Sequence, residues 1–298
     1  MLLRSGYFNC LLAFLLVALG VQAQDKPLFL QDQLELVASD YIFTEGCSKD
    51  IAGNVYFTDQ PNDKIWKYDV AGKLSVFLDK TGRSNGTYFD KKGNLVTCAD
   101  EKGEIWSINK KGKVKVLLSD FEGKQMNGPN DLWIDAKGGL YFTDPYYQRP
   151  YWARKSKDIP TEDVYYLAKG AKEAVKIAEG LRQPNGIVGS PDGKFLFISD
   201  IADGKTYKYP ILKAGVLGEK QLLITRGSDG MTLDNKGNVY LTGNGGVYIF
   251  DANGKSIGTI EVPRGASNVC FYGRNNDMLF ITAHKSVYTI PVNAKGVE

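Results

Sequence analysis

The segment Ala52-Gly-Asn-Val-Tyr-Phe-Thr-Asp59 joins a tight turn to an alternating strand, and the chain repeats this order five more times. The further copies lie at residues 92–97, 137–144, 192–200, 236–242 and, more weakly, 275–282. Successive turns are 39 to 55 residues apart, at Gly53, Gly93, Gly138, Gly193, Gly237 and Asn276. A period of about 40–45 residues built from short strands is typical of β-propeller blades. Helical solenoids are excluded because no helical apolar spacing runs through the units.

The ends of the chain complement each other in this pattern. Five copies continue with a third and a fourth strand, whereas the sixth ends at the strand 286–292. The segment 34–38 has the character of the missing fourth strand. Because its pairing there would remove two open sheet edges, we expect it to complete the last blade. The prediction is an all-β fold, a six-bladed β-propeller that forms a single domain over residues 24–298.

Composition excludes several classes of function. The 298 residues include 37 Lys and Arg, 34 Asp and Glu, and a single histidine, His284. A zinc site built from histidines, a histidine dyad or a HExxH helix would each need at least two. The near-neutral balance of charge does not indicate a nucleic-acid surface.

The first residues have the pattern of a secretory signal. Arg4 precedes the apolar run 10–19, and small residues follow near Ala23. This run is shorter than the roughly 20 residues that a membrane span needs. We therefore predict a cleaved signal peptide at 1–23, export to the periplasm or the medium, and no stable membrane span. Cleavage would leave three cysteines, an odd number that cannot all pair in disulfides, so we expect buried core thiols.

Oxygen-bearing side chains recur eight residues before each repeat turn. They are Glu45, Asn85, Asn130, Asn185, Asp229 and Asn268. Equivalent positions on the innermost strands of a propeller surround its central channel, so these oxygens should converge at one depth. A turn at the start of each strand is the alternative, because Asn and Asp favour turns and glycine often follows them. Glu45 fits that alternative poorly, and two carboxylates on one axis repel unless a cation lies between them.

A hard cation suits this donor set. Carboxylate and amide oxygens without histidine or cysteine favour Ca²⁺, and Mg²⁺, Mn²⁺ or Zn²⁺ stay open as alternatives. Glu45 and Asp229 would balance its charge, with Asn130 and Asn185 as neutral ligands. Asn85 and Asn268 are then candidates for contact with substrate or water.

Other candidate site residues lie on the same face. Asp131 either orients a ligand or is a turn residue. The second strands end there at Asp59, Asp100, Asp144, Asp200 and His284, and His284 is either a proton shuttle or a surface residue. An insertion at 145–160, rich in aromatic and arginine side chains, is either a lid that contacts substrate, Tyr147 included, or a solvated loop.

Four segments together resemble the senescence marker protein (regucalcin)/gluconolactonase family. They are Phe43-Thr-Glu-Gly46, Pro129-Asn-Asp-Leu132, Gln183-Pro-Asn-Gly-Ile187 and Ser228-Asp-Gly-Met231. The resemblance implies a six-bladed propeller that binds a divalent cation, usually calcium, through Glu45, Asn130, Asn185 and Asp229. It implies hydrolysis of lactones, or of organophosphates in some relatives, with Asp229 as the catalytic acid/base. One departure is Gly128, where sugar-lactone members commonly have arginine.

The sequence thus predicts a metal-dependent hydrolase of small lactones or related esters, in which Asp229 is the general base or the nucleophile. A non-catalytic binding propeller, an organophosphate hydrolase on the same site and a metal-free propeller are the alternatives. We predict no nucleic-acid partner, and the sequence leaves the oligomeric state open.

Overall fold

The computed structural model of the protein describes residues 26–297, so the predicted signal peptide at 1–23 lies outside the described residues. Within this range the chain forms strands and two short 3₁₀ helices, Gln31–Gln33 and Gln60–Asn62. The strands, in chain order, are β1 (Glu35–Ala38), β2 (Thr44–Lys49), β3 (Val55–Asp59), β4 (Lys64–Tyr68), β5 (Leu74–Asp79), β6 (Ser84–Phe89), β7 (Leu95–Ala99), β8 (Glu104–Ile108), β9 (Val114–Leu118), β10 (Leu132–Ile134), β11 (Leu140–Asp144), β12 (Asp163–Leu167), β13 (Val175–Ala178), β14 (Pro184–Gly189), β15 (Phe195–Asp200), β16 (Lys205–Lys213), β17 (Val216–Leu217), β18 (Gln221–Ile224), β19 (Met231–Leu233), β20 (Val239–Gly243), β21 (Gly246–Phe250), β22 (Ser256–Glu261), β23 (Asn268–Tyr272), β24 (Met278–Ala283) and β25 (Ser286–Pro291).

These strands form six antiparallel sheets, which are the blades of a propeller. Blades I, II, III and V contain the consecutive strands β2–β5, β6–β9, β10–β13 and β19–β22. Blade IV contains β14–β16 and β18, and β17 pairs with the far end of the long strand β16. The six-bladed prediction is confirmed, and the β16–β17 hairpin is an addition that the repeat did not indicate.

The N-terminal strand closes the ring as predicted. Strand β1 pairs antiparallel with β25, with Glu35 opposite Thr289 and Leu36 opposite Tyr288. This sheet, blade VI, therefore has the strand order β1-β25-β24-β23. Pairing the two ends of the chain in one blade leaves no gap between the first blade and the last.

The repeat turn has a conformational cause. Gly53 and Gly237 have φ angles of 85° and 80°, a region that costs other residues steric strain. Asn276, at the same position of the last copy, has a φ of 57°, which asparagine tolerates better than most residues. In the first copy Asp50 Oδ1 accepts the backbone N–H groups of Ala52 and Asn54 at 2.9 and 3.0 Å, which fixes the turn.

The core lies between neighbouring blades. Phe57 of blade I packs against Phe280 of blade VI with ring centroids 5.3 Å apart. Tyr240 of blade V meets Phe271 of blade VI edge-on at 5.3 Å. All four rings are fully buried. Burial of one such side chain contributes about 1.5–3 kcal/mol, so inter-blade packing holds the innermost strands around the channel.

The cysteines and the absence of a long apolar helix among the described residues can also be compared with the sequence predictions. Cys47, Cys98 and Cys270 are buried and form no disulfide among residues 26–297, as predicted. Over the same residues, no helix has the length and apolarity needed to cross a bilayer.

Candidate metal centre

The six repeated oxygen-bearing residues lie at the start of the innermost strands. Glu45, Asn85, Asn185 and Asn268 belong to β2, β6, β14 and β23, while Asn130 and Asp229 lie two residues before the first residues of β10 and β19. All are buried except Asp229, which is partly exposed at the mouth of the channel. The residues therefore begin strands and do not occupy hairpin turns.

Glycines after these residues allow the innermost strands to approach one another closely. A Cβ atom on Gly46 would lie 1.9 Å from the carbonyl oxygen of Asn85 in the next blade. A Cβ on Gly230 would lie 2.3 Å from the side-chain carbon of Asn268. The sequence alternative attributed these glycines to turns, and this part of it is wrong. Their function is to let adjacent blades meet at the channel axis.

Threonines on the second strands hold the ring in place, a role that the sequence reasoning missed. Thr58 Oγ1 donates to the carbonyl oxygen of Asn85 at 3.2 Å, and Thr143 Oγ1 donates to that of Asn185 at 2.8 Å. Each bond links one blade to the ring residue of the next. The available signal was the Thr-Asp pair that ends the repeat segments of blades I and III.

The side-chain amide of Asn185 connects three groups of the site. Its Nδ2 atom donates to Asp229 Oδ1 at 2.8 Å and to Tyr147 Oη at 2.9 Å. These two bonds use both amide hydrogens. Asn185 Oδ1 is buried and accepts no hydrogen bond from the described residues. Because a flipped amide would set this oxygen against the Asp229 carboxyl, the orientation is electrostatically determined.

The carboxyl groups of Glu45 and Asp229 are in contact. They lie close enough to share a hydrogen bond, and Gly46 N–H donates to Glu45 Oε2 at 3.2 Å. Burial raises the pKa of Glu45 well above its usual value, and the nearby charge of Asp229 raises it further. Burial likewise raises the pKa of Asp229. A buried carboxyl in contact with a partly exposed one must share a proton with it or surround a cation.

The donor set fits a hard divalent cation. The two carboxylates provide charge balance, and the adjacent Asn185 amide has an oxygen that accepts no hydrogen bond from the described residues. Among residues 26–297 no group of three or more His, Cys, Asp and Glu side chains is arranged to hold a metal ion. A site of two carboxylates completed by amide oxygens is of a different type, and suits calcium better than zinc.

The remaining ring residues lie beside this centre or deeper in the channel. Asn130 accepts Gly86 N–H at its carbonyl oxygen at 2.7 Å, which places its backbone in the ring. Asn268 Oδ1 accepts Val269 N–H at 2.8 Å, and Asp131 Oδ1 accepts Leu132 N–H at 2.9 Å. Both side chains line a cavity of about 20 Å³, which has room only for water. The negative charge of Asp131 contributes to the raised pKa of Glu45.

A cavity of about 510 Å³ opens beside Asp229 at the channel mouth. His284 lies on its rim, exposed, with its ring edge-on to Phe43 at 5.4 Å. The positive form of His284 favours the ionised form of Asp229 and so opposes the rise of the Asp229 pKa. The structure thus brings the predicted base and the single histidine to one cavity.

The aspartates that end the second strands mostly have a structural role. Asp59 Oδ1 accepts the N–H groups of Ile42 and Phe43 at 3.2 and 3.1 Å. Asp144 and Asp200 bind pairs of backbone amides in the same way, just before the ring residues of their blades. Their carboxyls hold the segments that lead into the innermost strands.

The insertion after β11 packs over the channel mouth and is not a solvated loop. Trp152 is buried and its Nε1 donates to the carbonyl oxygen of Asp100 at 3.1 Å. Tyr147 reaches Asn185, as described above, and burial raises the pKa of its hydroxyl. The same packing explains Gly128, since a Cβ there would lie 2.7 Å from Asp100 Oδ1 and 3.0 Å from the Trp152 ring. An arginine at 128 has no room.

Comparison with known proteins agrees with this arrangement. The model of the SMP-30/gluconolactonase/LRE-like region matches residues 43–285, which include every ring position. The chain belongs to this family. Among its relatives is the gluconolactonase of Zymomonas mobilis. The two sequences are 29% identical over 91% of this chain and 85% of the gluconolactonase.

Solved structures show the same fold. A gluconolactonase from Xanthomonas campestris superposes with a TM-score of 0.82 and 25% identity, covering 87% of this chain and 89% of its own. The calcium-binding protein regucalcin from Agrobacterium tumefaciens gives a TM-score of 0.73 at 19% identity, covering 88% and 94%. The second likeness shows the propeller fold of the SMP-30/gluconolactonase/LRE-like family and nothing further about this chain.

Proposed function

We propose that the protein is a calcium-dependent hydrolase of lactones or related esters, with the ion held by Glu45, Asn130, Asn185 and Asp229. The observation that carries this proposal is the contact between the carboxyls of Glu45 and Asp229 beside the unpartnered Asn185 Oδ1. Relatives named gluconolactonase support the reaction class. A structural neighbour named as a calcium-binding protein supports the choice of ion.

The residues of the chain divide the work of hydrolysis. Bound calcium would polarise the lactone carbonyl and stabilise the negative charge that develops on its oxygen. Asp229 lies at the cavity where a substrate and a water molecule can enter, and Asn185 fixes its Oδ1. Asp229 therefore accepts the proton of the attacking water as general base. Direct attack by the same carboxylate on the lactone carbonyl is the alternative. It would break the ring C–O bond, free the ring oxygen as a hydroxyl and leave a mixed anhydride, which water then hydrolyses.

Tyr147 and His284 have supporting parts in this proposal. Tyr147 Oη accepts the second amide hydrogen of Asn185 and so fixes the position of that side chain beside Asp229. His284, at the rim of the same cavity, helps to keep Asp229 ionised. Neither residue transfers a proton in the step described for Asp229.

Calcium titration of the chelator-treated protein, followed by a substrate panel, tests the proposal. We expect one calcium site by calorimetry, loss of that site in Glu45→Gln, and retention in Glu219→Gln, a matched change of an exposed glutamate. Chelator should abolish hydrolysis of gluconolactone, and calcium should restore it.

Three results would contradict this assignment. Full turnover by the metal-stripped protein would remove the ion from the mechanism. Hydrolysis of phosphotriesters alone would replace the lactone. Calcium binding without turnover of any lactone or ester would indicate a binding propeller.

We further propose that residues 1–23 direct export and are removed. The mass of the protein recovered from the periplasm or the medium should correspond to a chain that begins at residue 24. A full-length cytoplasmic product would contradict this.

A further inference from the structure

Arg149 belongs to the insertion and lies at the channel mouth, near the candidate metal centre. Its guanidinium stacks over the Tyr147 ring at 5.2 Å, and the Tyr147 hydroxyl is bound to Asn185. Its side chain retains 22% exposure, so one part faces the protein and another faces solvent. The charge of Arg149 favours the ionised forms of both Glu45 and Asp229, which places it within electrostatic reach of the site.

Asp100 holds Arg149 there because blade II differs from its neighbours. In blades I, III and IV the aspartate at the end of the second strand binds the amides before the ring residue. In blade II Asp63 has that role, accepting the N–H groups of Thr81 and Arg83 at 2.8 and 2.7 Å. Asp100, 2% exposed, instead pairs with Arg149 Nε at 3.4 Å and accepts the Tyr151 hydroxyl.

The guanidinium of Arg149 has unused hydrogen-bonding capacity. Its Nε is buried and lies near Asp100, but has no hydrogen bond of good geometry to any described residue. The structure shows no hydrogen bond from its terminal nitrogens to residues 26–297 either. By contrast, Arg154 of the same insertion donates to the carbonyl oxygens of Met126 and Asn127 and serves to fix the loop. A planar guanidinium with free donors is suited to a carboxylate or a phosphate group.

We propose that Arg149 binds an anionic group of the substrate, so that the preferred lactones carry a carboxylate or a phosphate beside the reacting ring. This inference rests on the proposed lactone hydrolysis and adds its substrate class. Among the described residues at this site, Arg149 is the only arginine that contacts Tyr147, the neighbour of Asn185, and also has donors without a protein acceptor. Trp152 and Asp100 fill the space beside Gly128, so no side chain can supply a cation from that position.

Three lactones test the proposal on the calcium-loaded protein: neutral gluconolactone, a glucaric acid monolactone with a free carboxylate, and gluconolactone that carries a phosphate. We expect the wild-type protein to prefer one of the two anionic lactones, and which one is preferred identifies the group. Arg149→Met should lower kcat/KM for that lactone about 10- to 100-fold, the range expected for a lost charge-assisted hydrogen bond, mostly through KM. Its effect on neutral gluconolactone should be clearly smaller, because that lactone loses no ionic contact and only the electrostatic support of Glu45 and Asp229 is removed. Arg149→Lys should recover part of the loss.

Arg226→Met is the matched control. Arg226 also stacks on an aromatic ring, that of Tyr248 at 3.6 Å, and lines the cavity beside Asp229 from blade V. We expect it to keep the preference for anionic lactones. Equal losses on neutral and anionic lactones in Arg149→Met, or loss of preference in Arg226→Met alone, would overturn the inference.

Failure of the proposed function has a different signature. If the wild-type protein hydrolyses none of the lactones, calorimetry with glucarate and with inorganic phosphate tests anion binding by Arg149 independently of the proposed hydrolysis. Binding that is present in the wild type and lost in Arg149→Met supports an anion site without lactonase activity. Absence of binding to both anions would overturn it.

Discussion

Two sets of acidic side chains lie at the same end of the channel, and their surroundings are opposite. Asp59 and Asp200 each bind two backbone amides of the segment that leads into an innermost strand. Glu45 has one amide donor, Gly46, and otherwise faces the carboxyl of Asp229. A buried carboxylate is stable only when donors or cations compensate its charge. The charges of the first set are therefore compensated by amide donors of the protein, whereas the facing carboxyls of the second set have too few donors to compensate theirs.

This contrast separates acidic residues that would bind an ion from acidic residues that stabilise the fold. Both sets are buried or nearly so, and both recur at a fixed position in the repeat. Burial and register therefore do not distinguish them. The number of donors around each carboxyl does, and changing one member of each set should produce opposite phenotypes.

The largest expected effect is that of Asp229→Asn. The amide can still accept from Asn185 but cannot accept a proton from water, so kcat for lactone hydrolysis should fall by about 10²–10⁴-fold. The stability of the calcium-free protein should not decrease, because the change removes one of two facing carboxyls. Steady-state kinetics and thermal unfolding with chelator measure the two quantities. Full turnover in this variant would rule out both base and nucleophile roles for Asp229.

A smaller effect of the opposite kind is expected for Asp200→Ala. This change leaves the amides of Arg182 and Gln183 without their acceptor, and the free energy of unfolding should fall by about 1–3 kcal/mol. Calcium affinity of the folded fraction should stay within about threefold of the wild type, since no ring side chain is altered. Denaturant titration of this variant beside Glu219→Gln provides the measurement. A stable Asp200→Ala protein that has lost calcium would instead assign Asp200 to the metal centre.

Much of the fold could be predicted because its signals are local. Turn residues such as Gly53 need a positive φ, and the alternating strands follow at a fixed distance, so the blade count and the ring positions follow from the repeat. Closure of the ring was also predictable, because the last unit lacks a fourth strand and 34–38 supplies one. The β16–β17 hairpin was not, since it extends one blade without changing the register of the next.

The partners of the site side chains could not be predicted, because they are distant in sequence. Asp100 and Asp200 end equivalent strands, yet Asp63 takes over the amides of blade II and leaves Asp100 to pair with Arg149. The orientation of the Asn185 amide depends on Tyr147, which comes from an insertion in another blade. A repeat pattern identifies where oxygens converge, but three-dimensional contacts decide which of them remain unpartnered.

The smallest expected effect is on the pH dependence of the free energy of unfolding, to which the two sets of acids should contribute differently. Burial raises the pKa of Glu45 and of Asp229, and raises that of Asp144 to about 7. An acid whose pKa is higher in the folded state stabilises the fold at low pH, and this contribution is lost as the pH rises through the folded pKa. In chelator, the free energy of unfolding should therefore decline from about pH 5 to pH 8. Calcium should cancel the part due to Glu45 and Asp229, because it favours their ionised forms.

Asp144 provides the internal reference for that experiment. It accepts the amides of Asn127 and Gly128 and is not a member of the facing pair, so its share of the decline should persist in calcium. Denaturant unfolding of the wild type, Glu45→Gln and Asp144→Asn, each with and without calcium, separates the contributions. Glu45→Gln should remove the calcium-sensitive part, and Asp144→Asn the calcium-insensitive part. If calcium leaves the pH dependence of the wild type unchanged, the facing carboxyls share a proton and do not hold the ion.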